Sequence, residues 1–295
     1  MEHLFYHLIN IILPVLLCIF VGFLLGKFNK PFDTKVVTSL MANVGYPSLI
    51  LAHLVGRTID LDIFFKMLLS GVWIILAFVA ITAIFLKLVK LPIRTYLNPL
   101  SLSNVGNTGL PICALVYGPK GLIYGLAFVV AVTVFNFTIG RWISSGSFTL
   151  KQLLTSPVIY SVVISVVMLL TGTHFPKPIA SGLDILSGLA IPLMLLTLGH
   201  SLSTMKLGNM KLGTGLAIYH LVVAIILTWV SLPIFGFQGV ARGVFILEGL
   251  MPVAASTYLW VSIYRKEDAP SVASVILVST LMTILVVPVA LTYWV

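Results

Sequence analysis

Long uncharged stretches alternate with short charged connections along almost the whole chain. A helix that crosses a bilayer needs about 20 consecutive apolar residues, and ten stretches come close to that length. They lie at residues 8–26, 36–56, 67–86, 95–119, 121–140, 154–173, 180–203, 212–235, 240–264 and 269–294. The pattern predicts an all-α protein with ten transmembrane helices and little chain left over for a soluble domain.

The fourth stretch is unlike an ordinary lipid-facing helix. Residues 104–111 read Asn-Val-Gly-Asn-Thr-Gly-Leu-Pro, and the whole stretch at 95–119 carries no charge. Because every backbone N–H and C=O in hydrocarbon needs a partner, a helix broken in this way survives only where it is buried in protein or lines a watery cavity. Secondary transporters bind substrate at such breaks. We therefore expect the binding site of the protein here.

The second half of the chain repeats two features of the first half. Pro47 and Pro192, in the second and seventh stretches, are separated by an offset of 145 (from 47 to 192). Gly-Leu-Pro ends at Pro111 and Gly-Leu-Met-Pro ends at Pro252, an offset of 141 (from 111 to 252). These offsets predict two five-helix units. Since five is odd, the second unit is inverted in the membrane, with helices 4 and 9 broken and crossing.

Composition agrees with a membrane protein. The chain is 59% hydrophobic and 8% charged, with a mean hydropathy of +1.14, whereas a soluble domain carries about 25% charged residues. The net charge of +9 does not indicate nucleic acid, because the Lys and Arg residues are scattered between apolar stretches. No Walker motif, Gly-x-Ser-x-Gly or His-Glu-x-x-His is present, so we expect neither ATP-driven transport nor an enzyme.

The basic residues also predict the orientation. Most of the 17 Lys and Arg residues fall at odd-numbered connections between the stretches, and cytoplasmic loops retain such residues. Both termini are therefore expected outside the cytoplasm, in a multi-pass protein of the plasma (bacterial inner) membrane.

Glu248 is the strongest single candidate for a functional residue, since a carboxylate in the middle of a membrane segment is a functional-site candidate by default. It directly precedes Gly249-Leu-Met-Pro252 in the ninth stretch. Two roles fit: a Na⁺ ligand beside unwound carbonyls, or a protonatable site. The alternative is a structural glutamate neutralised by a proton or an arginine, although Arg242, six residues earlier, does not share its helix face.

The run at 104–111 resembles the first crossover of the auxin efflux carrier family, which includes bacterial permeases. Residues 251–258, the charged turn at 265–268 and the last stretch are similar to the family's C-terminal end, so the resemblance covers essentially the whole chain. It implies two inverted repeats, residues 1–145 and 146–295. It also implies a scaffold of helices 1, 2, 6 and 7, a transport unit of helices 3–5 and 8–10 that moves as an elevator, and a homodimer. The short connection at 144–153 favours a compact bacterial permease rather than an auxin carrier.

The resemblance also implies site residues. Asn104 matches an asparagine that contacts a substrate carboxylate in the family. Pro111 and Pro252 match the family's two crossover prolines. Asn43, in the second helix, is a candidate to face the same site, or else to make an interhelical hydrogen bond. The candidate substrate-binding residues are Asn104, Asn107, Gly109, Pro111, Pro252 and Asn43.

The ion site has a second resemblance. The run Glu248-Gly-Leu-Met is similar to a crossover of the distantly related bile-acid sodium symporters, in which that glutamate binds sodium. Glu248, Gly249 and Met251 are therefore the candidates for ion coupling, with Na⁺ or H⁺ as the ion and no other cofactor. Three histidines, His53, His200 and His220, lack metal-ligand spacing and are expected to make interhelical hydrogen bonds. Cys18 and Cys113 are expected to be packing residues.

These features together predict a secondary transporter for a small organic anion, such as a carboxylate or dicarboxylate, in contact with membrane lipids. The alternative is a non-transporting membrane sensor or assembly subunit that keeps the transporter fold.

Overall fold

The computed structural model of the protein describes residues 2–55, 60–146 and 156–294. Most of the short connection at 144–153 lies outside these residues. Helices form nearly all of the described chain, and its only paired extended backbone is an isolated antiparallel bridge between Ser103 and Val253.

The helices of the first half begin with α1 and end with α7. Their bounds are α1 Glu2–Lys27, α2 Thr34–Leu40, α3 Tyr46–Leu54, α4 Leu61–Leu88, α5 Ile93–Ser101, α6 Leu110–Phe135 and α7 Arg141–Ser145. Three π-helical turns, Met41–Gly45, Val105–Gly109 and Asn136–Gly140, lead into α3, α6 and α7 respectively.

The helices of the second half run from α8 to α14. Their bounds are α8 Pro157–Thr171, α9 Lys177–Gly188, α10 Ala190–Thr204, α11 Met210–Phe235, α12 Gly239–Gly249, α13 Thr257–Tyr264 and α14 Ala269–Tyr293.

Six helical segments of the described chain are long and apolar enough to cross a membrane. They are Val36–Leu54, Leu61–Leu88, Val105–Ser145, Lys177–Thr204, Met210–Phe235 and Ala269–Tyr293. Two shorter apolar helices, Leu13–Lys27 and Pro157–Thr171, accompany them. The prediction of an all-helical membrane protein is confirmed, and the number of ten crossings stays a prediction.

Local sequence accounts for several helix ends. The side chain of Asp60 accepts a hydrogen bond from the backbone N–H of Ile63 at 3.2 Å and caps α4. Gly172 ends α8 in the left-handed conformation, which costs glycine no steric penalty. Within α6, Gly118 has φ 60° and ψ −145° and is followed by a proline. The helix is therefore interrupted at Gly118, with one helical part before this residue and a second part after it.

The packing contacts fall into two groups of helices. In the first group α1 lies along α10, while α3 packs against α8 and α9. Glycines bring α1 and α10 together: a Cβ at Gly22 would overlap the carbonyl of Leu196, and one at Gly199 would overlap the carbonyl of Ile19. Small residues at such contacts let membrane helices approach at backbone distance.

In the second group α4 packs against α5 and α6, α11 packs against α14, and α12 packs against α6. Gly71 of α4 lies against Ala131 of α6, and Gly213 of α11 lies against Ser274 of α14. The two interrupted segments, α5 with the turn that follows it and α12 with α13, lie within this second group.

Candidate functional site

The two helix breaks cross and hydrogen-bond to each other. The backbone N–H of Asn104 donates to the carbonyl of Pro252 at 2.6 Å, and the N–H of Ala254 donates to the carbonyl of Leu102 at 2.8 Å. Between these bonds Ser103 faces Val253 as an antiparallel bridge. Each break thus supplies partners for backbone groups that the other helix leaves unpaired, which is what burial in a membrane requires.

Proline chemistry helps to place the second break. Pro252 has no N–H to donate to a preceding turn, and a proline disfavours helical geometry in the residue before it, which here is Met251. The helix α12 accordingly ends at Gly249, and the next helix begins at Thr257. The N–H of Val253 donates to Oγ of Ser279 in α14 at 3.2 Å.

On the first break, Asn104 begins the turn that leads into α6. Its carbonyl accepts the N–H groups of Thr108 and Gly109 at 3.1 and 3.2 Å. Its side-chain Nδ2 and the Oγ1 of Thr108 are buried, and neither has a hydrogen-bond partner within the described chain. The first N–H groups of a helix also lack intrahelical partners. Several hydrogen-bond donors are therefore available on one side of the crossing.

Glu248 lies in the last turn of α12 and is fully buried. Its Oε1 accepts a hydrogen bond from Sγ of Cys113 at 3.6 Å, and its Oε2 has no partner among residues 2–55, 60–146 and 156–294. Gly109 and Gly125 leave room for the carboxylate. A Cβ at Gly109 would overlap Oε2, and one at Gly125 would come within 3.0 Å of Oε1. The carboxylate therefore touches the turn that Asn104 begins.

No basic side chain of the described chain forms an ion pair with this carboxylate. The one described ion pair joins Lys66 and Asp62 on the surface, and Arg242 instead donates from its guanidinium to the carbonyl of Trp294 at 2.7 Å. A buried ionised carboxylate without a counter-charge is too costly to persist. Glu248 must therefore carry a proton or lie beside a bound cation.

A small cavity of about 10 Å³ adjoins the carboxylate, close to the space that one water molecule occupies. Ser101 and Ser103 line it together with Glu248. The Oγ of Ser101 is buried and, in the described part of the chain, lacks a hydrogen-bond partner. These oxygen atoms suit a hard cation such as Na⁺, and the carboxylate alone suffices for a proton.

The first break also meets the first group of helices. A Cβ at Gly106 would come within 2.8 Å of the hydroxyl of Tyr46, which begins α3. The turn Val105–Gly109 contacts α10 as well. The donors of the first break therefore lie near the boundary between the two helix groups. Tyr46 was not singled out from the sequence, because nothing local distinguishes it from a packing tyrosine.

The other predicted substrate-binding residues are placed in different ways. Pro111 lies in the first turn of α6, several residues after the crossing itself, and is buried. Asn107 is half-buried, in the turn before α6. Asn43 is exposed, and its Nδ2 donates to the carbonyl of Ser39 at 2.8 Å on its own helical segment. The structure thus brings Asn104, Gly109 and Pro252 to the crossing, and a role for Asn43 at the site stays a prediction.

The remaining candidates for ion coupling flank Glu248. Gly249 is buried, and a Cβ there would overlap Oγ1 of Thr228 in α11. Met251 is fully buried in the second break. Gly249 has no side chain, so it could contribute to an ion site only through its backbone.

Several polar residues of the crossing were missed by sequence reasoning. Cys113 was expected only to pack, yet it is the described donor to Glu248. Thr108 and Ser101 lie in polar runs that offered no means of ranking them.

His220 makes the expected bond between helices, but at both ring nitrogens: Nδ1 lies 3.0 Å from the carbonyl of Leu100, and Nε2 lies 3.2 Å from that of Met251.

An all-helical chain with several membrane-length segments and a buried polar crossing is a multi-pass membrane protein of the kind that moves solutes. Comparison with known proteins agrees. Residues 141–291 match the family described as membrane transport protein. An uncharacterized transporter of Methanocaldococcus jannaschii is 24% identical over 94% of this chain and 96% of its own length. An uncharacterized transporter of Methanothermobacter thermautotrophicus is 27% identical over 64% of each chain.

The chain belongs to the membrane transport protein family, the auxin efflux carrier family of permeases. The family prediction is therefore confirmed, and the protein is a membrane transporter that handles a small-molecule substrate in a lipid bilayer. The more distant likeness to bile-acid sodium symporters stays a prediction.

Proposed function

We propose that the protein is a secondary carrier of a small organic anion, a carboxylate or dicarboxylate, and that a proton or Na⁺ taken up at Glu248 drives transport. One observation carries this proposal: the carboxylate of Glu248 lies against Gly109, in the turn that begins at Asn104. The unpartnered hydrogen-bond donors and the buried carboxylate therefore lie at the same short turn of backbone.

The donor side suits an anion. Nδ2 of Asn104 and the hydroxyl of Thr108 are buried without partners in the described chain, and a helix N-terminus beside them carries positive partial charge. Hydrogen bonds from such groups to a carboxylate would be charge-assisted and stronger than bonds between neutral groups. The substrate would thus replace the partners that these buried donors lack.

The acid side suits coupling. When Glu248 is ionised, its charge repels an anion held by the same turn, because Coulomb interactions are strong where water is excluded. A proton or Na⁺ at the carboxylate removes that repulsion. Uptake of the cation would therefore favour uptake of the anion, and each would raise the affinity for the other by the same factor.

The inverted-repeat architecture proposed here finds support in the packing. Contacts of α1 with α10 parallel those of α3 with α8, and contacts of α4 with α6 parallel those of α11 with α14. Gly71 and Gly213 sit at closely packed points of the last two pairs. Their offset is 142 (from 71 to 213), close to the offsets of the prolines, as two inverted halves at residues 1–145 and 146–295 would require.

The elevator proposal is supported by the division into two helix groups. α1, α3, α8, α9 and α10 would form the scaffold, and the second group, which contains both breaks, would carry the substrate as one body. We also propose both termini outside the cytoplasm and a homodimer formed through the scaffold, as the family resemblance implies. In this arrangement the crossing moves intact between the two sides of the membrane.

A flux assay tests the proposal. Purified protein in liposomes should accumulate at least one radiolabelled mono- or dicarboxylate in response to an inward H⁺ or Na⁺ gradient. Protein-free liposomes and an unrelated membrane protein serve as controls. Separate arms with only one gradient identify the coupling ion. Absence of flux across a broad carboxylate panel, with the protein shown to be folded, would contradict the carrier and favour the sensor or assembly subunit.

A further inference from the structure

A tyrosine hydroxyl of the first helix group lies against the first break. Tyr46 is near the middle of the membrane-length segment Val36–Leu54. A Cβ at Gly106 would come within 2.8 Å of its hydroxyl oxygen, and the three nearest atoms from other parts of the chain all belong to Tyr46. The absence of a side chain at Gly106 therefore lets the ring of Tyr46 reach the turn Val105–Gly109.

The hydroxyl of Tyr46 makes no hydrogen bond to another described residue. Tyrosine hydroxyls that are taken out of water usually find a partner, because an unpaired hydroxyl costs free energy in apolar surroundings. Tyr46 is half-buried, and its hydroxyl, unlike Nδ2 of Asn104, is not closed off from the surface. A solute at the boundary between the two helix groups can therefore reach it.

The residue after Gly106 offers a second reachable polar group. Asn107 is also half-buried, and its side-chain amide makes no hydrogen bond within the described chain. Asn104 begins the same turn. Polar groups from both helix groups therefore meet here, one from α3 and the others from the first break.

The counterpart of Tyr46 in the second half of the chain has no hydroxyl. Tyr46 precedes Pro47 and Ile191 precedes Pro192, so the two positions share the offset of 145 (from 46 to 191). An apolar side chain such as that of Ile191 is sufficient for packing beside the proline. The hydroxyl is thus present only in the half whose second helix touches the turn that Asn104 begins.

A carboxylate is a suitable partner for these groups. The phenol O–H and the amide N–H are both donors, and the two oxygens of one carboxylate can accept from both at once. Hydrogen bonds to an ionised acceptor are shorter and roughly twice as strong as bonds between neutral groups. A carboxylate at this place would supply the partner that the hydroxyl of Tyr46 lacks.

We propose that Tyr46 is a substrate-binding residue supplied by the first helix group. Its hydroxyl donates to one oxygen of the substrate carboxylate, and the amide of Asn107 donates to the other. The substrate then lies between the two helix groups. Tyr46 loses this contact when the second group moves relative to the first, so it stabilises the bound substrate in one state of the transporter. The assignment rests on the proposed function, because it adds a residue to the same anion site.

Equilibrium binding tests the contact without requiring transport. Purified protein is titrated with radiolabelled acetate, lactate, succinate, malate and citrate, and the tightest-binding acid serves as the probe. Tyr46→Phe removes only the hydroxyl, so its Kd should rise about 10- to 100-fold while Tm stays unchanged. Tyr293→Phe is the control, because Tyr293 is 77% exposed at the end of α14. Equal Kd values for Y46F and Y293F would overturn the proposal.

Gly106→Ala separates a contact at the hydroxyl from a change in packing. The added Cβ would lie 2.8 Å from the hydroxyl oxygen but 3.6 Å from the ring carbon that bears it, so it displaces the hydroxyl and leaves room for the ring. G106A alone should raise Kd about fivefold or more, whereas G106A added to Y46F should raise it less than about twofold. Fully additive effects would overturn the proposal.

The same samples separate this assignment from the carrier function. Wild-type protein that binds a carboxylate but shows no flux in liposomes would contradict the carrier function, and a weakened Kd in Y46F would still support the assignment. Wild-type protein that is folded but binds none of the acids would overturn both.

Discussion

The backbone N–H of Asn104 donates to the carbonyl of Pro252, so residues about half the chain apart meet at one point in the membrane. Asn104 begins the turn that presents free donors, and Pro252 ends a segment that begins with Glu248. Their hydrogen bond therefore joins the turn that carries the unpartnered donors to the segment that carries Glu248.

A disulfide should form across the crossing. Ser103 and Val253 are a pair flanked by the two backbone bonds, and such pairs have Cα atoms about 4.5 Å apart, within the range that disulfides span. Ser103→Cys with Val253→Cys, in a background with Cys18→Ala and Cys113→Ala, should cross-link on mild oxidation. The readout is retention of one band in non-reducing gels after cleavage at a protease site inserted near residue 207. Each single-cysteine variant is the control, and separated fragments in the double variant would contradict the crossing.

Replacement of Glu248 by Gln should remove ion coupling. The amide keeps the shape of the carboxylate, but it takes up no proton and lacks the negative charge that attracts Na⁺. Accumulation driven by the cation gradient should fall at least about tenfold, equivalent to about 1.4 kcal/mol, while exchange of substrate down its own gradient continues. The assay compares gradient-driven uptake with counterflow in the same liposomes. Glu267→Gln, at an exposed turn, is the control; unchanged gradient dependence in E248Q would make Glu248 a structural residue.

Truncation of Asn104 should weaken substrate binding. Asn104→Ala keeps the backbone bond to Pro252 and deletes only the buried Nδ2 donor. A hydrogen bond to a charged group contributes about 1.5–3 kcal/mol, so KM for the carboxylate should rise by roughly 10- to 100-fold. Initial uptake rates over a range of substrate concentrations measure this change. Asn43→Ala is the matched control, because Asn43 bonds within its own helical segment. Equal KM values for the two variants would remove Asn104 from the site.

A methyl group at Gly109 should displace the carboxylate of Glu248. The Cβ of Gly109→Ala would overlap Oε2, and the side chain can rotate away, so the expected cost falls on coupling more than on folding. The cation concentration for half-maximal flux should rise about tenfold, or about 1.4 kcal/mol, with a small change in Tm. Gly215→Ala is the control, since a Cβ there meets nothing within 4 Å. A large loss of Tm with normal cation dependence would show that Gly109 serves packing alone.

Much of the fold could be predicted from the chain's local chemistry. Uncharged stretches of membrane length and scattered basic residues predicted an all-helical membrane protein. The breakers at 104–111 and 249–252 predicted two interruptions, because proline and glycine act on the backbone within a turn of where they stand. The family also followed from these runs. The interruption near Asn104, however, centres on Leu102 to Asn104 rather than on Pro111, which starts the next helix.

The partners within the site could not be predicted. Cys113 and Glu248 are 135 positions apart, and His220 reaches carbonyls 120 and 31 positions away. Neither Cys113 nor His220 carries a local signal that separates it from an ordinary packing cysteine or histidine. Asn43 is the opposite case, since its polar side chain in an apolar stretch drew attention but bonds back to its own helix.

By itself the sequence determined that the chain is helical, lies in a membrane, breaks two helices and buries one acid, because hydrophobicity and backbone chemistry act over a few residues. Tertiary structure decided that the breaks hydrogen-bond to each other, that Glu248 rests on Gly109, and that one histidine spans both helix ends. Those contacts depend on how helices distant in the chain pack, and packing selects among many pairings that local chemistry permits equally.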